Sequence, residues 1–162
     1  MVMSFLAIAF SSLVMARTCG NDLDSARAIA QQVYAHLQPA QVLKITVDRV
    51  GEHRIAGMFV SGVKFHVPLT RRALTDEVVG LVQATFAAST VEEVDVRVVV
   101  PLTVGRGTVV SGDNALPVFR EVFTVTSLRR EALPALRQRI DTNRGIFWDD
   151  WFLHQQLLTA TP

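Results

Sequence analysis

The four histidines, His36, His53, His66 and His154, are the first residues to weigh for chemistry. A neutral imidazole ligates metals and carries protons near neutral pH. Zinc sites, however, gather their histidines at His-x-x-x-His or Glu-x-x-His spacings on one helix face. None of those spacings occurs here, and each histidine falls in a different predicted element. They read as solvated or singly hydrogen-bonded side chains, and no metal or cofactor is expected. Gly105-Arg106-Gly107 has the glycines of a phosphate cradle but no following Gly-Lys-Ser/Thr, and a strand comes next where a helix N-terminus would be needed. Ser111-Gly112-Asp113-Asn114 is a turn by residue chemistry, and Ser111 lacks the Gly-x-Ser-x-Gly elbow of a hydrolase nucleophile. Glu92, Glu93 and Asp95 have the types needed for acid and base work, yet such a cluster at a strand entrance is the ordinary makeup of a solvated edge. If a small-ligand or catalytic site exists, it is expected near the 101–117 loop, from His66, Arg106 and Asp113.

Charge and composition narrow the classes further. Sixteen basic against fifteen acidic residues exclude the basic footprint of a general nucleic-acid binder, and a single cysteine excludes an internal disulfide framework or a cysteine zinc site. The mean hydropathy of +0.30 is concentrated at the start of the chain. In MVMSFLAIAFSSLVMA, residues 1–16, only Ser4, Ser11 and Ser12 are polar, and Arg17 ends the run. As a helix this run extends roughly 24 Å, short of the ~30 Å hydrocarbon core and suited to a signal-peptide apolar region. No Lys or Arg precedes it. Cys19, followed by Gly20-Asn21-Asp22, resembles the lipidated cysteine of bacterial lipoproteins, although Ala16-Arg17-Thr18 places a charge where that family has small or aliphatic residues. The resemblance implies a lipid anchor at Cys19. The other readings are a free thiol in a loop flanking a helix, and an apolar segment retained as a membrane anchor.

The elements beyond residue 20 follow from periodicity. Leu23, Ala26, Ala30, Val33 and Leu37 recur at helical spacing behind a cap at Asn21 or Asp22, predicting a helix over about 22–37 ahead of Pro39. Leu43, Ile45 and Val47 alternate with Lys44, Thr46 and Asp48, the mark of a half-buried strand. Gly51-Glu52 turns the chain into a second strand at 54–60, and Ser61-Gly62 suggests a hairpin into a third at 63–67. Thr70 or Thr75 caps a helix bearing Leu74, Val78, Leu81, Val82 and Phe86. It leads to the β-branched strand VDVRVVV at 94–100, the helix and its flanking strands making a crossover. A fifth strand is expected at 118–126 with Phe119, Phe123 and Val125 on one face, and a short helix at about 131–141 with Pro134 in its first turn. The fold class is α+β: a single domain over 21–162 with a mixed sheet of about five strands and helices packed on it, preceded by the apolar segment 1–20.

Two features invite a partner. Arg129, Arg130, Arg137, Arg139 and Arg144 against Glu131 and Asp141 leave a local positive charge that suits an acidic surface or a solvated helix face. In the tail IFWDDWFLHQQLL, residues 146–158, Trp148, Trp151 and Phe152 fall close together on a helical wheel, fit either to pack on the sheet or to anchor a partner. The resulting expectation is a non-catalytic, membrane-associated, extracytoplasmic accessory or structural subunit. It would be exported to the periplasmic face of a bacterial membrane, touching the membrane through residues 1–20 and a protein partner through the aromatic tail, with no nucleic acid involved.

Overall fold

The computed structural model describes residues 20–36, 42–64, 67–101 and 119–159. Cys19, His66, Arg106 and Asp113 lie outside these residues, as does the apolar run 1–16. The element order is β1 (Gly20–Asn21), α1 (Leu23–His36), β2 (Val42–Val50), β3 (His53–Ser61), β4 (Val63–Lys64), β5 (Val67–Pro68), α2 (Arg71–Ala88), β6 (Glu93–Pro101), β7 (Phe119–Leu128), α3 (Leu133–Asp141), β8 (Phe147–Trp148) and α4 (Asp150–Thr159). One mixed sheet runs β1-β2-β3-β6-β7-β8. Its four long strands are joined antiparallel, parallel and antiparallel in turn, and a two-residue strand closes each edge. The chain is thus the expected α+β fold with a mixed sheet and packed helices.

Local chemistry starts and stops the elements. Asp22 begins α1 by accepting the Ser25 N–H at 3.0 Å, and Thr70 begins α2 by accepting the Ala73 N–H at 3.2 Å, each satisfying a donor the first helical turn leaves open. Gly51, at φ 65°, makes the β2–β3 turn. Helices and strands then share one core: Ile29 and Val33 of α1, Leu74, Val78 and Leu81 of α2, and Leu136 and Ile140 of α3 meet Val47, Ala56, Met58, Val60, Val94, Val96 and Val98. Burying each of these side chains other than Ala56 contributes roughly 1.5–3 kcal/mol. The helical stripe of α1 is rotated from the expected one, because Ile29 is fully buried and Leu23 is exposed.

The expected third antiparallel strand at 63–67 does not join the sheet. The edge of β3 that it would have used is taken by β6, in parallel register from Ile55↔Glu93 to Ser61↔Val99. Gly62 lacks the positive φ of a tight hairpin and donates its N–H to the Val99 carbonyl at 2.8 Å. The chain beyond forms the separate β4–β5 ladder. Two bulges also break the expected alternation. Register slips between Val42 and Lys44, which leaves Leu43 partly exposed, and again at Val98/Val99, where Phe123 and Glu121 are the partners and Val122 is the extra residue. Val122 therefore joins Phe123 in the core, while Phe119 is exposed, since an inserted residue reverses the side to which the chain before it points.

Candidate functional site

Cross-strand register defines a second face on the sheet, opposite the helices. Its side chains fall into rows that run across the strands. One row is Asp48, Ile55, Glu93 and Leu128; the next is Thr46, Gly57, Asp95 and Thr126; the third is Lys44, Phe59, Arg97, Thr124 and Phe147. Gly57 lies close under Thr46, where a Cβ would stand 2.8 Å from the threonine Oγ1. The core-facing neighbours Val47, Ala56, Met58, Val94, Val96 and Val125 are buried, whereas Lys44, Asp48, Phe59, Arg97, Thr126 and Leu128 are exposed. Phe59 keeps 37% and Phe147 49% of their surface. The helices bury their apolar residues in the core on the other side.

The charges of this face are unspent. Among the described residues Lys44, Asp48, Glu93 and Arg97 form no ion pair, in contrast to Asp22 with Arg54, Asp76 with Arg137, Asp149 with Arg120 and Glu131 with Arg139. Asp95 accepts the Thr126 hydroxyl at 2.5 Å, and the Arg97 guanidinium stands 5.8 Å from the centre of the Phe59 ring, within range of a cation–π attraction. At the end of the face a groove of about 620 Å³ is lined by Val50, His53, Ile55, Glu92, Glu93, Leu128, Arg129 and Arg130. Its floor is apolar. On its rim Glu92 accepts the Arg54 N–H at 2.6 Å; that hydrogen bond, with smaller help from the Arg54 and His53 charges, outweighs burial and holds the carboxyl below the ordinary glutamate range. The groove lies where β6 begins, at the opposite end of that strand from Pro101; the site expected near the 101–117 loop lies outside the described residues.

Of the residues singled out from the sequence, those the structure describes fall in different surroundings. Trp148 is 8% exposed and Phe152 1%. Trp148 belongs to β8, paired with Phe123, and not to a helix over 146–158; it contacts the Phe123 ring edge-on at 4.6 Å and stacks with Phe152 at 6.5 Å. Of Trp148, Trp151 and Phe152, Trp151 alone stays exposed, at 44%, with the Arg120 guanidinium 5.2 Å from its ring centre. Arg120 is the register partner of buried Val100, which sets this corner on the helix side of the sheet. The member of the tail that reaches the open face is Phe147.

The basic cluster is largely consumed by structure. Arg129 donates to the carbonyls of Val91, Phe86 and Ser89 at 2.7, 3.1 and 2.5 Å, closing the C-terminal end of α2. Arg137 and Arg139 pair with Asp76 and Glu131 at 2.6 and 2.8 Å. His154 places Nδ1 2.6 Å from the Asp150 carbonyl oxygen, His53 lines the groove, and no three metal-binding side chains converge among the described residues. No helix among them is long and apolar enough to cross a membrane. Sequence reasoning overlooked Ile55 and Phe59. The signal was present in β3, HRIAGMFVS, where apolar residues occupy both faces of a strand whose neighbour β2 is polar on one. Comparison with protein-family models, curated proteins and solved structures returned no match.

Proposed function

We propose that this chain is a non-catalytic accessory subunit of a membrane-associated, extracytoplasmic assembly, held at the membrane by its N-terminal apolar segment and binding a protein through the open face of its sheet. The observation that carries the reading is the juxtaposition on that face of exposed Phe59, Leu128 and Phe147 with Lys44, Asp48, Glu93 and Arg97, none of them ion-paired among the described residues. Interface cores combine aromatic and aliphatic surface with charges that complement a partner's. The apolar run 1–16 and the lipoprotein-like position of Cys19 support the location.

The test is recovery of the full chain from native membranes under mild detergent. The parent is expected in a complex, and Phe59→Asp to lose it while keeping parental helix and strand content. A lone chain from native membranes, or a complex indifferent to Phe59→Asp, counts against the subunit. A fully soluble cytoplasmic product that retains residues 1–16 counts against the location. Intact mass separates chains starting at Met1, at Arg17 and at a lipidated Cys19.

A further inference from the structure

We infer that the partner on the open face is a second copy of this chain, docked sheet on sheet about a twofold axis that runs along the row Thr46-Gly57-Asp95-Thr126. This rests on the reading of that face as a binding surface. On three of the four strands the two rows on either side of the axis are complements of one another. On β2 Lys44 stands opposite Asp48; on β3 Phe59 opposite Ile55; on β6 Arg97 opposite Glu93; on β7 Thr124 opposite Leu128. A half-turn about the central row lays each row of one copy over the other row of its partner. Lys44 then meets the partner's aspartate at the same strand, Arg97 meets the partner's glutamate, and Phe59 covers the partner's isoleucine.

Every contact occurs twice, as an isologous interface requires. Two of the four strands supply opposite charges and one supplies apolar surface on both sides. The arrangement also accounts for the groove, because Ile55, Glu93 and Leu128 line it and the row carrying Phe59 is the one brought over them. On the axis the side chains are small or absent, with Thr46, Gly57 and Thr126 letting two sheets approach to the ~10 Å spacing of packed sheets. Each residue on the axis meets its own copy; Asp95 is the one charged member of that row, and its carboxylate is engaged by Thr126. The face measures roughly 20 by 27 Å from strand spacing and rise; with side-chain relief it approaches the ~800 Å² per partner of an ordinary stable interface.

Sedimentation equilibrium of the full chain in detergent, at low salt, tests this with a charge exchange. The parent is expected to be a dimer. Arg97→Glu and Glu93→Arg, each placing like charges together twice per dimer, should weaken it at least about tenfold, and the double variant should return to the parental dissociation constant. Asp95→Asn should tighten it. A monomeric parent, a dimer indifferent to Arg97→Glu, or a double variant as weak as the singles overturns the second copy as partner. Recovery of Arg97→Glu from native membranes separates the two readings. If the parent is monomeric and this variant is stripped from its complex, the face still binds, but another protein. If the parent is monomeric and the variant keeps its complex, both readings fall.

Discussion

Asp149 shows how much a single side chain can hold. It begins α4 by accepting the Phe152 N–H at 3.0 Å, and the same carboxylate takes both Nε and Nη2 of Arg120 at 3.0 and 2.7 Å. Burial pushes its pKa up, but the Arg120 hydrogen bonds, the Phe152 N–H, the Arg120 charge and the Trp151 N–H outweigh it, and the carboxyl sits below the ordinary aspartate value. A carboxyl that binds its proton less tightly when folded favours the folded state above the unfolded-state pKa, and this contribution fades as pH falls through the lowered value. Asparagine caps a helix as well as aspartate does, so Asp149→Asn can keep the Phe152 cap on its one oxygen while removing the charge together with the oxygen that accepts from Arg120. It should cost on the order of 1 kcal/mol at pH 7, as expected for a partly exposed pair. In urea melts the difference between variant and parent should begin to shrink below about pH 4 and vanish only once pH is under the lowered folded-state value; a difference independent of pH would contradict the assignment. Cap chemistry of this kind was legible at Asp22 and Thr70, where a side-chain oxygen directly precedes a helical stripe. At Asp149 it was hidden, because the aromatic run before it reads as continuous helix.

At the scale of elements, ladder pairing overrode turn chemistry. Alternation, turn residues and a β-branched run located β2, β3, β6 and β7 nearly to their ends, but alternation is blind to insertions, and Leu43 and Val122 are where the count slips. Ser61-Gly62 has the residues of a hairpin, yet its glycine serves a close approach. A Cβ there would lie 3.0 Å from Val100 Cγ1 and 3.2 Å from Val98 Cγ1, both buried in the C-terminal half of β6. Gly62→Ala should therefore destabilise by about 1–3 kcal/mol through overpacking. Gly57→Ala meets only the Thr46 hydroxyl, which can rotate away, and should cost less. Equal losses in chemical denaturation would show that the crowding at Gly62 is relieved by movement of β6.

For the molecule as a whole, the mixed sheet was legible because a helix between two strands demands a crossover, and the polar side of the open face was legible in Lys44, Thr46 and Asp48. Its apolar members were not, since Phe59 and Phe147 are revealed only once register sets them in one row. The same fold leaves the two tryptophans, three positions apart, in opposite surroundings: Trp148 is enclosed by Phe123 and Phe152, and Trp151 is open to water beneath Arg120. An indole emits at shorter wavelength in an apolar enclosure than in water, so the chain carries a two-colour optical probe of its own C-terminal segment. Trp151→Phe should leave a blue-shifted emission that acrylamide reaches poorly, and Trp148→Phe a red-shifted one that it quenches readily. Detachment of β8 and α4 from the sheet would merge the two signals before the strands themselves melt.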